Sequence, residues 1–297
     1  MARKKMLFLF NPHAGKSQIR TKLSEIINLF SQADFEIQIH ATQERGDATR
    51  IAACRGGRVD YVVVSGGDGT LNETVEGLMQ VERRPVIGYI PTGTTNDFAY
   101  THKIPKNMLT AAEIIVSGEP AAVDVGRLNG RHFVYVAGFG AFTDVSYKTS
   151  QEMKAVLGHP AYLLEGVKRL AELTPYRMQV ETGGESFEDE FLLGLVSNSV
   201  RVAGIKGLQG KRVKTDDGFH EVLLVRNPRN PMDLQQTLLG LLQPESSSPH
   251  IYRARVKQIR FVSREPVDWV IDGEYGGAQT EVMIETIPKA VEILKKK

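Results

Sequence analysis

The stretch Tyr61-Val62-Val63-Val64-Ser65-Gly66-Gly67-Asp68-Gly69-Thr70-Leu71-Asn72-Glu73 restricts the fold of this chain more than any other. A β-branched run suits a buried strand, and the three glycines that end it allow a sharp turn. Beyond Thr70 the pattern turns helical. Such a strand–loop–helix unit gathers backbone N–H groups and the positive end of a helix dipole at one point, which suits phosphate. Asp68 is the anomaly. A carboxylate beside a phosphate is repelled unless a cation lies between them, so the loop asks for Mg²⁺ together with a nucleotide.

Two other phosphate loops fail on spacing. Gly15-Lys16-Ser17 ends like a Walker A loop, but its first glycine would fall at Phe10. Gly67-Asp68-Gly69 opens like a dinucleotide fingerprint, but its third glycine would fall at Asn72. A glycine turn that merely caps a helix is the plainer alternative.

The surrounding pattern repeats the unit. Strands are expected at Met6–Phe10, Phe35–His40, Tyr61–Ser65 and Val86–Ile90, with helices near 19–30, 47–55, 70–80 and 108–117. Alternation of this kind predicts a doubly wound parallel sheet over residues 1–125, with ligands beyond the carboxyl ends of its strands. Four loops would meet there: Asn11-Pro12-His13-Ala14-Gly15-Lys16, Thr42 with Gly46-Asp47, the GGDGT turn, and Pro91-Thr92-Gly93-Thr94-Thr95-Asn96-Asp97. Each alone is an ordinary turn or helix cap. Together they suit a triphosphate and its metal.

After Asp124 short β-rich segments take over, at 121–127, 131–137, 177–182, 191–198, 220–225, 251–255, 258–262, 267–271 and 281–284. They predict an antiparallel β-sandwich over 126–297, interrupted by helices near 160–173 and 231–242. At 297 residues the chain suits two domains, and its net charge of +2 is too balanced for a dedicated nucleic-acid binder. The single cysteine, Cys54, excludes an intrachain disulfide and is expected to pack on a helix in a reducing compartment. No apolar run approaches a bilayer span, so the expected location is cytoplasmic, peripheral at the inner membrane face. His13, His40, His159 and His220 share no ligand-like spacing and read as surface or packing residues.

GGDGTLNE, the opening Asn-Pro-x-x-Gly-Lys, Pro-Thr-Gly-Thr-Thr-Asn-Asp, Asp216-Asp217-Gly218 and Asp272-Gly273-Glu274-Tyr275-Gly276-Gly277 resemble, in order, the motifs of the diacylglycerol kinase catalytic fold. The nearest likeness is to soluble bacterial diacylglycerol kinases. The resemblance implies a nucleotide domain, a β-sandwich lipid domain and an active site in the cleft between them. It implies that Asn11, Pro12, His13, Ala14, Gly15, Thr42, Gly66, Gly67, Asp68, Gly69, Thr70, Leu71, Asn72, Glu73 and Thr94 hold ATP. It makes Asp68 and Asp97 active-site carboxylates and Glu274 the general base, and it assigns a structural Mg²⁺ to Lys214, Asp217 and Phe219 with Asp124 in the surrounding network. Lys214 and Phe219 would contribute backbone carbonyls.

The implied reaction is ATP- and Mg²⁺-dependent phosphorylation of diacylglycerol to phosphatidic acid. Phosphoryl transfer needs an in-line hydroxyl, charge neutralisation and a carboxylate to take the proton, and these residues offer the parts. Alternatives within the fold are a kinase for phosphatidylglycerol or a sphingoid base, and a catalytically silent nucleotide or lipid sensor. NAD kinases share the GGDGT logic but fit the later motifs less well. Tyr162, Leu163, Leu164, Val167, Leu170, Ala171 and Leu173, with Lys168 and Arg169, suit either an anionic membrane surface or a cover for the sandwich core. Homodimer formation through exposed sheets is a further expectation. The chain also stops soon after Ala290–Leu294, so a tail returning to the first domain is expected to be missing.

Overall fold

A computed structural model describes residues 3–15, 19–140, 174–202, 205–206, 213–243 and 248–297. The fold is α/β with many strands, and the chain divides into two compact units, residues 1–125 with 288–297 and residues 126–287.

The first unit is built on β1 (Lys4–Phe10), β2 (Phe35–Ala41), β3 (Tyr61–Gly66) and β4 (Val86–Pro91), which lie in the order β2-β1-β3-β4 and are all parallel. Met6, Leu7, Phe8 and Leu9 are fully buried, as a central strand covered on both faces requires. The step from β1 to β2 runs one way across the sheet, and the steps from β2 to β3 and from β3 to β4 run the other. Right-handed crossovers then put α1 (Ile19–Gln32) on one face and α2 (Asp47–Arg55) with α3 (Asp68–Leu78) on the opposite face.

Packing agrees with that placement. Phe30 of α1 meets Phe8 edge-on at 5.9 Å, and Gly77 of α3 lies so near α2 that a Cβ there would sit 2.8 Å from Ala52 Cβ. α4 (Asp97–Thr101) and α5 (Met108–Ser117) follow β4, and Ile115 of α5 fills the space over Gly88. The reversal of direction between β1 and β3 is the switch point at which the carboxyl-end loops diverge and leave a crevice.

The last strand corrects the sequence expectation about the tail. β15 (Glu274–Lys295) runs out of the second unit, and its end pairs parallel to β4 at Ile293 and Ile87. Val291, Ile293 and Leu294 are buried, Arg84 donates to the Ala290 carbonyl, and Lys289 N–H donates to Asp124 Oδ1 at 2.7 Å. Asp124 lies in β5 (Glu119–Leu128), the strand that pairs with β15. Residues 288–297 therefore belong to the first unit, whereas the sequence had placed them with the second.

The second unit is antiparallel. The stretch expected as one strand at 131–137 is two, β6 (Arg131–Phe133) and β7 (Val136–Gly140). β8 (Tyr176–Thr182) and β9 (Glu185–Ser197) form a hairpin, and the short pair β10 (Arg201–Val202) and β11 (Ile205–Lys206) follows. β12 (His220–Arg226) lies between β9 and β13 (Ile251–Val256), and α6 (Pro231–Leu242) connects β12 to β13. The segments expected at 258–262 and 267–271 are one strand, β14 (Gln258–Ile271), whose register on β15 shifts between Val262 and Val267. Phe139, Phe261 and Trp269 pack ring on ring at 5.0 to 5.8 Å at the centre of this core. The helix expected at 160–173 lies outside the described residues. Among the described residues no helix is long and apolar enough to cross a membrane.

Candidate active site

Three of the predicted loops converge at the switch point. Asn11 N–H donates to the Ser65 carbonyl at 2.8 Å, which fixes the start of the first loop on the end of β3. Asn11 Nδ2 reaches Thr70 Oγ1 at 3.4 Å, so the first loop also touches the first turn of α3. His13 N–H donates to Asn11 Oδ1, and Gly15, at φ +48°, faces the Thr92 carbonyl so closely that no side chain fits. Lys16 lies outside the described residues.

The third and fourth loops touch directly. Thr92 N–H donates to the Gly66 carbonyl at 2.8 Å, and a Cβ on Gly93 would lie 2.6 Å from Gly67 Cα. Glycine at both places lets the two backbones approach. Thr94 is exposed at this rim. The second loop is braced instead of open. Thr42 is buried with its N–H on the Phe10 carbonyl, while Gly46 N–H donates to Glu73 Oε1 at 2.8 Å and Gln43 N–H to Asp47 Oδ2 at 3.0 Å. His40 Nε2 lies 2.9 Å from Asp47 Oδ2, and this contact leads the causes that hold the Asp47 carboxyl below the usual carboxylate range.

Several predicted ligands thus have other work. Glu73 holds the second loop, and Leu71 is fully buried, which leaves only its backbone for a nucleotide. Gly69, Thr70 and Asn72 lie in the first turns of α3.

Asp68 has a partner that the sequence did not reveal. Its carboxylate accepts Asp97 N–H at 3.0 Å and Phe98 N–H at 3.3 Å, capping α4 from the neighbouring loop. The anomaly is therefore partly answered by two backbone donors without any cation. Asp97 itself is buried beside it. The Asp68 carboxylate, with buried Asp97 as its backbone partner, supplies the hard oxygen donors that suit Mg²⁺.

The other predicted cation site fits less well. Asp217 Oδ1 accepts Phe219 N–H at 3.2 Å, and Oδ2 is held by the Arg255 guanidinium. Arg255 and Lys257 also lie over the Phe219 ring, at 4.9 and 5.4 Å. A metal at Asp217 would share its carboxylate with an arginine already in place. Lys214 is exposed, and Asp124 lies in the first unit while Asp217 lies in the second. Nearby, burial pushes the Glu221 carboxyl up to about 7 against the pull of Arg255.

Glu274, the predicted base, sits in the second unit as the first residue of β15. The two residues before it, Asp272 and Gly273, have φ of +48° and +84°. Positive φ at both central positions is the tight hairpin turn that matches strand twist, and Asp-Gly is a favoured pair for it. Sequence reasoning missed what fixes this turn. The buried Asp272 carboxylate accepts N–H groups from Val134, Tyr135 and Val136 at 2.7, 3.0 and 2.9 Å, and Asp272 N–H returns a bond to the Val136 carbonyl. The Asp-Gly pair was a readable signal for the turn; its partner segment was not readable.

A parallel sheet whose switch-point loops present close-packed glycine backbones beside two carboxylates defines a phosphate-handling α/β protein. Comparison with known proteins makes this specific. The family model for the diacylglycerol kinase catalytic domain matches residues 5–128. The chain is 35% identical over 278 residues to a diacylglycerol kinase of Staphylococcus carnosus, covering 93% of this chain and 90% of that one. It is 32% identical over 276 residues to one of Bacillus subtilis, covering 92% and 91%. A solved Bacillus anthracis diacylglycerol kinase structure superposes with a TM-score of 0.76 at 25% identity, covering 100% of this chain and 98% of that one. The chain belongs to the diacylglycerol kinase family.

Proposed function

We propose that this protein transfers the γ-phosphoryl group of ATP to the free hydroxyl of diacylglycerol, giving phosphatidic acid and ADP. The observation that carries this reading is the convergence of the Asn11, Gly66–Gly67 and Thr92–Gly93 backbones with Asp68 and Asp97 at the carboxyl ends of β1, β3 and β4. In this reading residues 1–125, together with the returning segment 288–297, form the ATP-binding domain, and 126–287 the β-sandwich lipid domain.

Each residue then has a defined task. The glycine N–H groups and the α3 N-terminus hold the phosphates, Thr42 and Thr94 border the nucleoside, and Asp68 and Asp97 would hold Mg²⁺. Bound Mg²⁺ neutralises the charge spread over the transferring phosphate. Glu274 accepts the proton of the lipid hydroxyl as its oxygen attacks phosphorus, and the Asp272 clamp keeps that carboxylate aimed. Lys214, Asp217 and Phe219, with Asp124, are the structural Mg²⁺ set that the resemblance implies, and the Arg255 guanidinium on Asp217 would compete with a metal there. A substrate that resides in a bilayer requires the protein to dock peripherally on a membrane face. The stretch Tyr162–Leu173 suits either that contact or a cover for the sandwich core, and homodimer formation is proposed alongside.

The test is labelled ATP offered with vesicles carrying diacylglycerol, phosphatidylglycerol or a sphingoid base. Labelled phosphatidic acid is the expected product, and label in another lipid reassigns the substrate. Glu274→Gln should cut turnover about a hundredfold or more while ADP still binds. Retained turnover removes Glu274 from the role of base.

A further inference from the structure

Tyr89 lies in β4, the strand that leads into the fourth loop. It is fully enclosed within β4, its ring meeting Phe98 edge-on at 6.0 Å. Its hydroxyl is 3.2 Å from the Gly66 carbonyl and 3.5 Å from Asn96 Oδ1. We propose that Tyr89 is a positioning residue, whose hydroxyl ties the glycine turn after β3 to the Asn96 corner after β4 and so sets the affinity for adenine nucleotide.

The geometry at both ends needs holding. Asn96 adopts φ +52°, a left-handed conformation unusual for a residue with a side chain. It is kept there by Gly93, whose N–H donates to Asn96 Oδ1 at 3.0 Å and whose carbonyl accepts from Asn96 Nδ2 at 2.6 Å. Gly93 in turn rests against Gly67, and the residues just after Asn96 give their N–H groups to Asp68. The phenol has one proton, which goes to the nearer Gly66 carbonyl with Asn96 Oδ1 alongside. The turn after β3 and the corner after β4 thereby share one buried anchor. Burial and the nearby Asp68 charge push the phenol's pKa well up, so the donor is present at any working pH.

The inference rests on nucleotide binding at these loops, and the experiment separates the two. Tyr89→Phe keeps the ring and removes only the hydroxyl. The Kd for Mg·ADP by calorimetry and the KM for ATP should each rise about three- to tenfold, the size of one neutral hydrogen bond. The KM for lipid, kcat and Tm should stay close to wild type. Unchanged nucleotide affinity overturns the proposal, as does a parallel loss in both KM values, kcat and Tm, which marks a packing role. Gly93→Ala, which crowds Gly67, serves as the control. If it weakens ADP binding and Tyr89→Phe does not, the role of Tyr89 alone fails. If neither changes ADP affinity, the nucleotide reading fails and takes this proposal with it.

Discussion

Asp272 shows how much one buried carboxylate can organise. Three backbone N–H groups converge on it across the gap between the hairpin and residues 134–136. Asp272→Ala strands all three donors, and the expected cost is roughly 2–4 kcal/mol in urea denaturation, with kcat falling although Glu274 is intact. Asp272→Asn, which keeps one acceptor oxygen, should lose less of both. His102 has the opposite character, because it is buried to stay neutral. It stacks on Phe98 at 4.2 Å, and burial, with Lys295 adding, holds its pKa well below the usual 6.5. The unfolded chain binds a proton near 6.5 and the folded one does not. Stability therefore rises with pH up to that point and is lost on acidification, by at most about 1.4 kcal/mol per pH unit. Denaturant curves near pH 7.5 and about pH 5.5 should show a smaller difference for His102→Leu than for wild type. Equal differences would clear His102 of this role.

At the scale of elements, β15 is the test case. Val291, Ile293 and Leu294 are buried in the first unit, and burying three such side chains contributes on the order of 5 kcal/mol. Removing residues 288–297 should lower the calorimetric transition of the first unit by many degrees while leaving that of the second nearly in place. The strands β1 to β4 and helices α1, α2, α3 and α5 were legible because their apolar periodicity is strong and their glycines mark the ends. α4 was missed: it has five residues, starts from a left-handed Asn96 and takes its cap from Asp68, 29 positions away. β14 and β15 were read as fragments, since Ser263-Arg264-Glu265-Pro266 and the polar stretch through Lys289 look like turns until a partner strand pairs with them. Of the site, the glycine loops could be read from local chemistry. The tasks of Glu73, Asp272 and Asp68 could not, because each meets a backbone donor far away in sequence.

For the whole molecule the measurable consequence is linkage. A ligand that binds only the folded state stabilises it by about 2.7 kcal/mol at a hundred times its Kd. ADP with Mg²⁺ should raise the transition of the first unit in a concentration-dependent way, and chelating the metal should reverse much of the gain. A shift confined to the second unit would place the nucleotide elsewhere.

The return of residues 288–297 to the side of β4 also governs the order of events during synthesis. A domain near the start of a chain ordinarily folds as soon as it leaves the ribosome. Here the early sheet lacks a strand until residues 288–297 leave the ribosome, and they leave it only after all of 126–287. The later-made unit can close on itself while the earlier-made one still waits, so the usual head-first sequence is inverted, and the half-built sheet has an open apolar border for a chaperone to guard.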